Sequence, residues 1–118
     1  MSIADVHYFD ITELGSLLSR RELSSREITR TLLERIASVD SRLHSYSLLM
    51  PEPALAEAEA ADAEIARGQL RGPLHGVPIA VKDLVWTQSC PTAAGMAILR
   101  EFRPHVDATA VRRLRAAG

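Results

Sequence analysis

The sequence predicts an α/β fold that this chain only begins, and three observations carry the prediction. Two stretches in series open on helix-start signatures and continue as one-sided apolar stripes. The run Val77 to Val81 is apolar enough for a mostly buried strand. A last helical stretch then stops at Gly118, where an alternating helix and strand pattern would next supply another buried strand. Only one other segment, His44 to Met50, is a good strand candidate, and two strands make a marginal sheet. The expectation is an N-terminal portion of a larger fold, able to fold only partly or only with the rest of the protein.

Asp10 followed by Glu13 has the spacing of a capping box, so a helix is expected to begin near Ile11, with Ile11, Leu14, Leu17 and Leu18 in one stripe. The pattern breaks around Ser19 to Leu23. Ser24 with Glu27 repeats the signature and opens a second helix, with Ile28, Leu32, Ile36 and Val39 on one face and Arg26, Arg30, Glu34 and Arg35 mostly on the other, ending before Asp40 to Arg42. Such a pair covers its own core, or docks a partner chain or a membrane surface. In His44 to Met50, Tyr46, Leu48 and Met50 alternate with Ser45, Ser47 and Leu49, which predicts a short strand closed by Pro51.

Pro53 starts an alanine- and glutamate-rich helix to Arg67, with Gly68 as its stop. It buries little beyond Leu55, Ala58 and Ile65, and its glutamates and Asp62 read as a solvated face rather than as metal ligands. Leu84 to Pro91 is expected as a loop and Ala93 to Phe102 as a short helix. Arg103 to Val106 is a connector, Asp107 a helix N-cap, and Ala110, Val111, Leu114 and Ala117 the inward side of the last helix, with Arg112, Arg113 and Arg115 facing solvent.

At 118 residues, 47% hydrophobic and 25% charged, the chain suits one modest domain or part of one. A net charge of -1 gives no pull towards nucleic acid or anionic membrane. The single Cys90 cannot form an internal disulfide, which suits a reducing compartment, and beside Pro91 it reads as a small apolar filler rather than a nucleophile. Met1 to Asp10 lacks the charged and apolar regions of a secretory signal, and no apolar span is long enough to cross a bilayer, so the default location is cytoplasmic. His7, His44, His75 and His105 are scattered, with no serine and acid spaced as a triad.

The stretch Gly72 to Leu84 reads Gly-Pro-Leu-His-Gly-Val-Pro-Ile-Ala-Val-Lys-Asp-Leu, a turn-rich entry into an apolar run that ends on a charge. In a strand, Val77, Ile79 and Val81 take one face and Pro78, Ala80 and Lys82 the other. Lys82 then lies among small apolar neighbours, and Asp83 points away from it. An ammonium in a dry site finds a carboxylate or gives up its charge to become a proton acceptor. Against that stands the ordinary role of a strand-end lysine, which leads its aliphatic stem out to water.

Gly72 to Asp83, followed by Pro91-Thr92-Ala93-Ala94-Gly95, resembles the opening motif of the amidase signature family, and Asp107 to Gly118 resembles the helix that follows it there. The resemblance implies a mixed β-sheet core wrapped by helices, of which residues 1–118 would be the N-terminal portion of a single amidase domain, with 1–70 mainly helical and 71–118 holding the motif strand, loop and helices. It implies hydrolysis of a carbon–nitrogen amide bond, other than a peptide bond, by a nucleophilic serine, a second serine preceded by a cis peptide bond, and a lysine.

By the match Lys82 is that lysine, the base at the end of a proton relay, and both serines lie downstream of this chain, which would be inactive alone. His75 would fix the turn before the strand. Trp86 stands where an acidic residue is common and Ser89 where glycine is common. The resemblance implies no metal and no organic cofactor, a small-molecule amide as substrate, no direct contact with nucleic acid or membrane, and either a homodimer or amidotransferase partner subunits as the assembly. Two other readings stay open. One is the amide-hydrolysing component of a glutamine-dependent tRNA amidotransferase, and the other a non-catalytic helical module that binds a protein through its first two helices.

Overall fold

The structure is a computed structural model and describes residues 3–118. Residues 1 and 2, the start of the segment judged for a secretory signal, lie outside the described residues. Among these, no helix is long and apolar enough to cross a membrane. The chain divides into two compact units, one running up to Pro78 and taking in Gly118, the other Ile79–Ala117.

The first unit is built on three helices, α1 (Ile11–Ser19), α2 (Ser25–Leu43) and α3 (Pro51–Ala66), preceded by a 3-10 segment, Ile3–Tyr8. Both predicted capping boxes form. Asp10 accepts the amides of Thr12 and Glu13 at 2.8 and 2.9 Å while Glu13 accepts that of Asp10 at 2.7 Å. At the start of α2 all four open amides find acceptors. Glu27 takes the amide of Ser24 at 2.9 Å and the Ser24 hydroxyl takes that of Glu27 at 3.1 Å. Asp62, reaching across from α3, takes the amides of Ser25 and Arg26 at 2.7 and 3.1 Å.

Val6, Leu14, Leu18, Ile28 and Ile65 make the core, with Phe9, Leu23, Leu32 and Val77 packed against it. The stripe of α1 is thus half used, since Leu14 and Leu18 are buried while Ile11 stays exposed. Helix α2 outruns its expected end and closes on His44, whose left-handed backbone stops it. Gly68, with φ of 77°, ends the turn after α3.

The second unit holds a short 3-10 segment, Ala97–Leu99, and α4 (Thr109–Ala117), on which Val111 is buried and Arg112, Arg113 and Arg115 are exposed. The helix expected over Ala93 to Phe102 does not form. Ala94 and Gly95 both take positive φ, 52° and 72°, which a right-handed helix cannot accommodate.

The expected α/β class with a mixed β-sheet core is corrected by the structure: the described residues contain no β-strand, and the chain is helical with connecting loops. The physical reason is that a strand exists only by pairing. His44 to Met50 runs exposed between α2 and α3, and its side-chain alternation meets no second strand to use it. Val77 packs on the core, but Ile79 and Val81 are 47% and 42% exposed, and the amides of Ile79, Ala80 and Val81 make no backbone hydrogen bond among the described residues. The apolar alternation in the sequence describes a surface that wants cover, and nothing in the described residues covers it.

Candidate active-site motif

The first half of the motif, Gly72 to Gly76, is a tight turn gripped from several sides of the first unit. Its own backbone closes it, with the His75 amide on the Gly72 carbonyl at 3.2 Å and that of Val77 on Leu74 at 3.0 Å. Gly15, in the middle of α1, lets that helix touch the turn: a methyl group there would fall well inside contact distance of the Pro73 carbonyl oxygen. From α2, the buried Ser25 hydroxyl donates to the Gly76 carbonyl. The Gly76 amide donates to the Gly118 carbonyl at 2.7 Å. Gly76 sits at φ of 82°, where a side chain would be strained, and a Cβ would press on Ser25 at 3.2 Å.

Helix α3 contributes Glu64. Its carboxylate receives Nε and Nη2 of Arg71 at 2.8 and 2.6 Å and faces Nε2 of His75 at 3.3 Å. The His75 ring is buried, and its Nδ1 accepts the Arg71 amide at 3.1 Å. An Nδ1 that accepts an N–H carries no proton, so the ring proton sits on Nε2, towards Glu64. The Arg71 hydrogen bonds hold the Glu64 carboxyl below its ordinary 4.5; desolvation opposes them, and the charges of Arg71 and Arg67 add to the lowering. The same contact pushes Arg71 upward. His75 therefore fixes the turn, as the motif implied, and Glu64, read from sequence as part of a solvated face, is what holds His75.

The second half of the motif belongs to the second unit. Lys82 is exposed, its carbonyl accepts the Val85 amide at 2.9 Å, and its ammonium meets no carboxylate within ion-pair distance among the described residues. The dry strand face expected for it is not formed. With no strand formed, the alternation does not place Asp83, and its hydrogen bonds do. Its carboxylate accepts the Ala93 amide at 2.8 Å and its carbonyl the Ala94 amide at 2.9 Å, which ties Pro91 to Gly95 back against the lysine-bearing segment.

Trp86 and Phe102 meet edge to face, 5.8 Å between ring centres, and the Trp86 carbonyl accepts the Ala108 amide at 2.9 Å. Ser89 is exposed, its carbonyl reached by Arg103 at 3.3 Å and its hydroxyl by Arg115 at 3.2 Å. Asp107 takes the Gln88 amide at 2.7 Å and pairs with Arg115 at 3.2 Å. Cys90 is half-buried and free.

Two residues were missed by sequence reasoning, and one had a signal. Ala58, Ala61 and Ile65 are the buried face of α3, and at 3.6 residues per turn Asp62 falls on that same face. A carboxylate on a buried stripe needs donors, and the open end of α2 supplies them. Glu64 lies at the flank of the stripe, where no spacing distinguishes it from its solvated neighbours.

Comparison with known proteins sets these features in a family. The Amidase family pattern matches residues 27–118. The chain is 57% identical over 109 residues to a Mycobacterium bovis protein named as amidase AmiD, covering 92% of this chain and 23% of that one. It is 46% identical over 116 residues to a glutamyl-tRNA(Gln) amidotransferase subunit of Salinispora tropica, covering 98% of this chain and 24% of the relative. Among solved structures, the native peptide amidase of Stenotrophomonas maltophilia superposes with a TM-score of 0.90 at 41% identity, over 98% of this chain and 24% of that enzyme. The chain spans about a quarter of the length of the relatives it matches. With the family match over most of the chain, the motif on both sides of Lys82 included, this chain belongs to the amidase family.

Proposed function

We propose that this chain supplies the N-terminal portion of an enzyme that hydrolyses a carbon–nitrogen amide bond, and that Lys82 is its proton-accepting base. The observation that carries the reading is the family match over residues 27–118, which includes the whole motif from Gly72 to Asp83. The seating of the Gly72 to Gly76 turn by three helices supports it, because a loop held by so many polar contacts is held for its geometry.

In the mechanism, Lys82 in its neutral form takes a proton from a serine, which takes one from a nucleophilic serine as that hydroxyl attacks the amide carbonyl. The amine leaves, an acyl-enzyme forms, and water hydrolyses it. Both serines come from outside this chain, and so does the cover that would dry the exposed Lys82 enough for it to lose its charge. Isolated, the chain is inactive on this reading. The unpaired Cys90 fits a cytoplasmic setting.

The test is Lys82→Ala in the full-length enzyme, assayed by ammonia release from simple primary amides. A positioned base contributes about a hundred- to ten-thousand-fold, so turnover should fall at least that far. Near-normal turnover would remove Lys82 from the mechanism. The identity to a component of a tRNA amidotransferase favours a second reading, in which the enzyme releases ammonia from glutamine and needs partner subunits. Glutaminase activity that rises only when such partners are added selects it.

A further inference from the structure

We infer that Asp83 is a positioning residue for Lys82, holding the backbone just after the lysine through hydrogen bonds to two consecutive amides of the Pro91 to Gly95 loop; this rests on the reading of Lys82 as the base. The Asp83 carboxylate accepts the Ala93 amide at 2.8 Å and the Asp83 carbonyl the Ala94 amide at 2.9 Å. Side chain and main chain of one residue are thus caught by neighbouring donors, which fixes its orientation as well as its place. The Lys82 carbonyl accepts the Val85 amide at 2.9 Å, so the lysine opens the turn in which Asp83 stands. All of these groups belong to the second unit.

Three observations make this grip the control on Lys82. On the N-terminal side of the lysine, the amides of Ile79, Ala80 and Val81 make no backbone hydrogen bond among the described residues. Its ammonium meets no carboxylate within ion-pair distance among the described residues, so no ion pair directs it either. The hold comes from the C-terminal side, where Asp83 is the adjacent residue. Finally, Ala94 takes a positive φ of 52° although it is not glycine, a conformation that persists where its surroundings over-determine it. The Asp83 carbonyl on its amide is one such constraint. A displacement of about 1 Å at a reacting group can cost on the order of a hundredfold in rate.

The competing role for Asp83 is electrostatic, a neighbouring carboxylate that favours the ammonium form of Lys82 by its charge. Asparagine keeps the acceptor and loses the charge, whereas glutamate keeps the charge and moves the acceptor by a methylene. The experiment therefore compares Asp83→Ala, Asp83→Asn, Asp83→Glu and Lys82→Ala in the full-length enzyme, by ammonia release from a simple primary amide per folded molecule, well below each variant's melting midpoint. Asp83→Ala should lower kcat by about ten- to a hundredfold with KM within about twofold. Asp83→Asn should restore kcat to within about threefold of wild type and exceed Asp83→Glu. Should Asp83→Ala fail to fold, the order of asparagine over glutamate carries the test. An alanine variant that turns over like wild type once folded, an asparagine variant no better than glutamate, or a loss confined to a raised KM overturns the inference. If Lys82→Ala stays active, it is instead the assignment of the base that has failed.

Discussion

Gly15→Ala probes whether α1 touches the motif turn as closely as the structure has it. The added methyl would meet the Pro73 carbonyl oxygen well inside contact distance and its carbon at 3.3 Å. The obstacle is backbone, so no rotamer change relieves it, and the turn behind it is pinned by Ser25 and Glu64. Overpacking a filled site costs typically about 1–3 kcal/mol, and a rigid neighbour places this one near the top of that range. Alanine recovers up to about 1 kcal/mol of helix propensity over glycine. The net is a destabilisation of about 2 kcal/mol, roughly thirtyfold in the folding equilibrium. Urea unfolding followed by far-ultraviolet circular dichroism measures it; with a slope of about 1–3 kcal/mol per molar, the midpoint should drop by about 1 M. A variant as stable as the parent, or more so, would mean that propensity wins and that α1 stands off from Pro73.

Two further outcomes follow from the helix ends and the carboxylates. Asp62→Ala uncaps both the Ser25 and Arg26 amides and should cost about 1–2 kcal/mol, whereas breaking the neighbouring Arg26–Glu59 pair, about half exposed on both sides, should cost well under 1 kcal/mol; chemical denaturation of the two variants separates them. Glu27 is held below its ordinary 4.5 first by the Ser24 amide and then by the Ser24 hydroxyl, and Glu64 first by Arg71. Both charged forms are favoured by folding, so the unfolded state takes up protons first on acidification and their contribution is whole above 4.5 and lost as pH falls through the lower folded values. Melting midpoints should hold steady from pH 7 towards that value and decline below it, less steeply in Glu64→Gln; a midpoint that rises on acidification contradicts the assignment.

Local rules made the helices of the first unit legible. Asp10 with Glu13 and Ser24 with Glu27 announce two helix starts, and both boxes close as spaced. The motif likewise marked the turn from Gly72 to Gly76, which closes on its own backbone around the buried His75. What failed was everything that depends on distant partners. The run Val77 to Val81 has the composition of a buried strand, yet composition records what a segment needs and cannot provide the neighbour that pairs with it. The helix expected over Ala93 to Phe102 lost to contacts from elsewhere, since Asp83 claims the amides of Ala93 and Ala94 and the backbone turns left-handed at Ala94 and Gly95. Glu64 went unread for the same reason: its donor Arg71 and its neighbour His75 come from the connector beyond the helix.

The motif is therefore held firmly at one end and not at the other, and amide exchange makes that contrast measurable. The Gly76 amide donates to Gly118 at 2.7 Å beside the buried His75, and the Val77 amide to Leu74 at 3.0 Å. Exposing either requires opening the clamp formed by Ser25, Glu64 and Arg71, an event costing on the order of 3 kcal/mol for a packed element. Ile79, Ala80 and Val81 offer exchange no such barrier, because their amides have no backbone acceptor among the described residues. In this chain, Gly76 and Val77 should exchange about a hundredfold more slowly than Ile79 to Val81. Equal protection in the isolated chain would show that the segment before Lys82 has found a partner of its own, and that the turn alone does not account for the order of the motif.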